Sequence, residues 1–141
     1  MRRVILSVIV VVSAIGLRAT VPQTPATTTV KDKVYSKEQA ARGQATYEKV
    51  CAKCHALDDK PTTNDGPPLA GPTFLAKWDG KSVHELAFGI KLGMPPDGSI
   101  AMDNDNTADV VAYMIKVNGF PEGTKPLKLD ESAKTLMFVK K

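Results

Sequence analysis

Cys51-Ala52-Lys53-Cys54-His55 is the stretch on which the reading of this chain turns. Two thiols two residues apart, with a histidine directly behind the second, can add across the two vinyl groups of one haem. The histidine then lies beneath the iron as proximal ligand. Three other chemistries use paired cysteines. A disulfide between Cys51 and Cys54 would close a very small loop and stabilise little. A thioredoxin-like redox pair expects a βαβ setting, and the chain offers no period-two strand pattern. A zinc site needs a second ligand pair, and the one other histidine is His84. Covalent haem attachment is the reading that the five residues support.

Helical signals surround the motif. Ser36-Lys37-Glu38-Gln39 reads as a capping box, Ser36 at the N-cap and Gln39 reaching back, and predicts a helix from Lys37 to about Cys51. Ala40, Gly43, Tyr47 and Val50 recur on it at threes and fours. A glycine inside a helix costs about 1 kcal/mol relative to alanine, so Gly43 calls for a close helix crossing beside Tyr47. Residues 56–72 read as loop, with Asp58-Asp59-Lys60-Pro61 and Asn64-Asp65-Gly66-Pro67-Pro68 as turn signals. A second capping box, Ser82-Val83-His84-Glu85, predicts a helix to about Lys91, burying Val83, Leu86, Ala87 and Ile90. The last long helix starts near Asp103 or Asn104 and stops at Asn118-Gly119, with Val110, Tyr113, Met114 and Val117 inward. A short helix is expected within 130–138. The fold class is all-α.

The ends of the chain read differently from its middle. Met1-Arg2-Arg3 followed by the apolar run Val4 to Leu17 has the shape of a secretory signal. It is short for a bilayer span of about 20 residues. Cleavage after Ala19 or Gly16 and retention as an N-terminal anchor are both open. Export to the periplasm is the expectation, with attachment to the outer face of the inner membrane as its anchored form. Residues 20–35 are rich in Thr and Pro and read as a flexible linker, 36–121 as the folded domain, and 122–141 as a tail packing on it. The whole chain carries 19 basic and 15 acidic side chains. Without Arg2, Arg3 and Arg18 the balance is 16 to 15, so the basicity belongs to the leader. No basic run interleaves with aromatics, which excludes a nucleic-acid reading.

One axial position on the iron remains to be filled. His84 lies one place off the apolar stripe of its helix, and lysines are protonated and poor ligands at neutral pH. Met114 and Met137 read as packing residues. Met94, in the stiff loop Leu92-Gly93-Met94-Pro95-Pro96, suits a thioether held toward iron. Met102 precedes the last N-cap, where an apolar residue commonly packs as a staple. Met94 is preferred, with Met102 as the alternative.

In this order, Gly43-x-x-x-Tyr47, Cys51–His55, Gly66-Pro67-Pro68-Leu69, Met94-Pro95 and a last helix carrying Tyr113 resemble a class I cytochrome c over residues 36–121. The resemblance implies three main helices plus short helices and loops around one covalently bound haem c per chain. It implies that the first and last helices cross at Gly43 and Tyr47, and that the Pro67 carbonyl accepts a hydrogen bond from His55. It also implies that Leu69 packs on the haem face and that Met94 is the second iron ligand. More narrowly, Phe74-Leu75-x-x-Trp78-Asp79-Gly80-Lys81-Ser82, Met94-Pro95-Pro96-Asp97 and Ala108-Asp109-Val110-Val111-Ala112-Tyr113 look like domains associated with quinone-dependent alcohol dehydrogenases.

The expected function is therefore electron transfer by a His55/Met94-ligated monohaem carrier, not an enzyme. Redox proteins are the expected partners, such as a quinone-dependent dehydrogenase or a terminal oxidase. The alternatives are a haem relay subunit of a larger dehydrogenase or oxidase complex, and a five-coordinate haem sensor or enzyme.

Overall fold

Ser36, in extended backbone, places its hydroxyl where it accepts from the Gln39 amide at 3.3 Å, and α1 begins there (Lys37–Thr46). The expected return bond from the Gln39 side chain does not form. That side chain is instead buried and clamps the backbone of Leu127, donating to its carbonyl at 2.9 Å and accepting from its amide at 2.7 Å. Burial beside the C-terminal segment outcompetes a solvent-side cap, because a buried amide must find partners for both of its ends. From Tyr47 to Cys51 the helix continues as a π turn, in which Ala52 donates five residues back to the Tyr47 carbonyl.

The computed structural model describes residues 27–59 and 66–140. The expected signal (1–19) and residues 20–26 of the expected linker lie outside these. Three more helices follow α1: α2 (Pro72–Trp78), α3 (Val83–Gly93) and α4 (Asn104–Val117), with a 3₁₀ turn at Glu131–Lys134. Among the described residues there are no strands, only isolated bridges. The architecture is the all-α cytochrome c fold.

The helix α2 falls in a segment for which no helix was expected. It has proline in its first turn, where a missing amide costs nothing. Its seven residues are too few to show a period, yet they bring Phe74 into the core at 2% exposure. The helix α3 has the complete capping box: Ser82 accepts from the Glu85 amide at 3.2 Å, and Glu85 accepts from the Ser82 amide at 2.8 Å. That bond holds the Glu85 carboxyl below its ordinary range. The N-cap of α4 is Asp103, accepting from Asn106 at 2.8 Å.

The helices α1 and α4 cross at Gly43. A Cβ there would overlap the carbonyl of Asp109 and come within 3.0 Å of the Tyr113 Cβ, which is why glycine stands inside the helix. Tyr47 and Tyr113 meet one turn on, ring centres 5.4 Å apart. Arg42 forks onto the Asp109 carboxylate at 2.7 and 2.8 Å.

Residues 27–35 are not a free linker in the structure. Val30 is fully buried and Tyr35 is 1% exposed, its hydroxyl donating to the Phe120 carbonyl at 2.8 Å. Val30 and Met137 also share a backbone hydrogen bond of 3.0 Å. Two anchoring side chains suffice to order a short polar stretch when its backbone finds partners as well. The C-terminal segment enters the core through Leu127, Ala133, Leu136 and Phe138. Phe138 lies edge-on to Phe74 at 5.9 Å, with Trp78 half-buried beside both.

Candidate haem site

The π turn at the end of α1 delivers Cys51 to the edge of the crossing, and the chain then folds tightly. The Cys51 carbonyl accepts from both the Cys54 amide at 3.0 Å and the His55 amide at 2.9 Å. The two cysteines form no disulfide. Burial pushes the Cys51 thiol up, with Cys54 adding to the effect, so it remains a neutral S–H at physiological pH.

His55 is held from two sides. Its backbone carbonyl accepts from the Tyr47 hydroxyl at 2.7 Å, and burial pushes that phenol up, keeping it a neutral donor. Its ring Nδ1 lies 2.8 Å from the Pro67 carbonyl oxygen. A carbonyl can only accept, so Nδ1 carries the proton and Nε2 presents its lone pair. The approach depends on Gly66: a Cβ there would overlap the Cys54 carbonyl and lie 2.8 Å from His55 Nδ1. The next residues return to the same wall, with the Leu69 amide donating to the Ala56 carbonyl at 2.8 Å. Leu69 packs, partly buried, against the apolar core.

The two methionines weighed for the second ligand differ sharply in setting. Met102 is 9% exposed within the apolar core, and its carbonyl accepts from the Thr107 hydroxyl at 3.3 Å. Met94 caps the C-terminus of α3 in extended backbone and is 40% exposed. Met114 is buried at 1%. His84 stacks on Phe88 along α3, ring centres 6.1 Å apart.

These residues fit a covalently tethered haem: two thiols at attachment spacing, an imidazole whose Nδ1 is tied to the Pro67 carbonyl, and a glycine admitting the loop behind it. The fold and this constellation define a monohaem c-type cytochrome domain of class I. Residues 38–114 match the family model described as cytochrome C oxidase, cbb3-type, subunit III, over more than half of the chain, and the chain belongs to that family. No match is found among curated proteins or solved structures. Membership brings haem c as cofactor, electron transfer as activity and redox proteins as partners.

Side chains that pattern reading passed over also shape this site. Tyr47 was expected at the crossing alone, and its hydroxyl gives no separate sequence signal. Asn118 was read as a helix terminator, although its amide also holds the Leu69–Gly71 backbone.

Proposed function

We propose that the chain is a six-coordinate monohaem electron carrier. Cys51 and Cys54 would hold one haem c through thioether links, and His55 Nε2 and Met94 Sδ would ligate its iron. When bound, haem c supplies a one-electron ferrous/ferric couple. Pro67 keeps the imidazole oriented and makes it a better donor to the metal. Leu69 supplies an apolar wall. A neutral thioether ligand would favour the reduced state and a comparatively high potential.

The observation that carries this reading is the engagement of His55 Nδ1 by Pro67 at 2.8 Å, which leaves one defined nitrogen for metal. The choice of Met94 is supported by its exposure at a helix end, against the core burial of Met102 and Met114. Replacing Met94 by alanine is expected to abolish the methionine–iron charge-transfer band at the red end of the ferric spectrum, while Met102→Ala retains it. Survival of the band in Met94→Ala would overturn the ligand assignment. Absence of the band from the wild-type protein would favour a five-coordinate sensor or enzyme.

The basic start Arg2-Arg3 and the apolar run after it support export, with the domain working in the periplasm or at the outer face of the inner membrane. A second reading, a haem relay within a larger oxidoreductase, is favoured by the family match, whose description names an oxidase subunit. Co-purification of the full chain with a membrane oxidase or dehydrogenase would establish the relay. Recovery as a lone protein would support the free carrier.

A further inference from the structure

A residue that ends a helix and a residue that positions a haem ligand can be the same one. Asn118 closes α4, and as a helix-ending asparagine it needs no further explanation. Its side chain, however, is 5% exposed and fully used. One amide hydrogen goes to the Met114 carbonyl at 2.8 Å, a bond within its own helix end. The other goes to the Leu69 carbonyl at 3.0 Å, 49 positions away. Its oxygen accepts from the Gly71 amide at 3.1 Å. Both long-range bonds end on the short segment that follows Pro67.

We infer that Asn118 is a positioning residue for the proximal histidine, acting through the backbone of 67–71. The inference rests on the reading of His55 as an iron ligand. Segment 66–71 touches the histidine side through the Pro67 carbonyl and the Leu69 amide, and is tied to α4 by the Asn118 side chain. Leu69, whose carbonyl Asn118 holds, lies only two positions after Pro67. Gly71 has a φ of +95°, a conformation that glycine leaves easily when nothing fixes its amide. Without Asn118 the segment keeps its contacts to the loop it must orient, and Gly71 keeps the Leu75 amide of α2, but the segment loses its side-chain tie to α4. The Pro67 carbonyl then wanders relative to the imidazole, and the orientation of the ligand with it.

The molecule contains its own control. Gln39 makes the same pair of bonds, donor and acceptor, to the backbone of Leu127, and is 3% exposed. It clamps a different segment, which carries none of the proposed haem-site residues. Losing either amide costs stability; only one should reach the histidine.

The test uses the haem-loaded protein, with covalent haem first established by staining for haem after denaturing electrophoresis. A wild-type protein without covalent haem overturns the underlying reading, and this inference with it. In haem-loaded protein, Asn118→Ser is compared with Gln39→Ala. A serine hydroxyl can bond to the carbonyl one turn back, here Met114, so the helix end keeps a partner while Leu69 and Gly71 lose theirs. Both variants are expected to melt earlier. In Asn118→Ser the His55 Nδ1 proton should exchange with solvent about tenfold faster in the ferrous protein, the effect of losing one or two hydrogen bonds on local opening, and the reduction potential should move. In Gln39→Ala exchange and potential should match wild type. Equal exchange and potential in the two variants would overturn the inference. Where Asn118→Ser does not accumulate with haem, Asn118→Asp keeps the size and the acceptor for Gly71 but neither donor. It is read by proton exchange with the same two outcomes.

Discussion

The α1–α4 crossing and the histidine-bearing loop lie against each other, yet they are held by different forces. At the crossing, backbone touches backbone: Gly43 lies under the Asp109 carbonyl and Tyr47 lies against Tyr113. Around His55 the restraints are directional hydrogen bonds, from Tyr47 to the His55 carbonyl, from His55 to Pro67 and from Leu69 to Ala56. The crossing is therefore limited by volume and the loop by hydrogen-bond geometry. An added atom should harm the first most, and a lost donor the second.

The severest test of that contrast is Gly43→Ala. Alanine is the better helix former by about 1 kcal/mol, which would stabilise an isolated helix. The new methyl would overlap a backbone carbonyl that cannot swing aside. Overpacking of this kind costs about 1–3 kcal/mol or more and should win. Thermal melting of the haem-loaded protein is expected to show a clear net loss; a gain would mean that the crossing is not volume-limited.

Tyr47→Phe separates the two regions within one residue, since the ring serves the crossing and the hydroxyl serves the loop. The expected loss is about 1 kcal/mol, the net worth of one hydrogen bond. Helix content by circular dichroism should be unchanged, while the absorbance of the bound haem shifts. A loss as large as that of Gly43→Ala would sink the division drawn here.

Arg42→Gln should have the smallest effect, at most about 1 kcal/mol, because the arginine is 60% exposed and its pair with Asp109 is screened by solvent. Melting at low and high salt checks this. A larger loss would make the ion pair, not the glycine contact, the main restraint of the crossing.

How far this was legible in the sequence follows from the kinds of interaction involved. Local signals were read directly: the Ser82–Glu85 box, the Asp103 start and Asn118-Gly119 end of α4, and the contact required by Gly43. Each of these is stated by neighbouring residues or by a cost that one residue cannot hide. The helix α2 was missed because seven residues behind Gly71 are too short for a period to emerge. Residues 27–35 were read as part of a linker because the stretch 20–35 is rich in Thr and Pro and shows no apolar period. Burial rests on Val30 and Tyr35, with Val34 partly buried against the core, and on backbone bonds that side-chain patterns do not report. Gln39 was assigned to a cap it does not make, since a capping partner and a long-range clamp look alike in sequence. Asn118 hides its second role for the same reason. At the site, the attachment motif and the Gly66-Pro67 turn announced themselves. The Tyr47 hydroxyl did not, because phenylalanine and tyrosine serve a helix crossing equally well.

The π turn from Tyr47 to Cys51 makes the spacing of this region as consequential as its residues. In a helix each residue advances the phase by about 100°, so one residue more or fewer rotates everything downstream relative to everything upstream. Gly43 sets the phase at the crossing, and Cys51, Cys54 and His55 must emerge on the side where Pro67 waits. The widened turn lets both requirements hold along one continuous helix. An i→i+5 turn holds one residue more than a regular α turn, so the number of residues between Tyr47 and Cys51 matters as well as their identity. The distance in sequence between the glycine and the first cysteine is thus a gearing, and it constrains length where the motifs themselves constrain only identity.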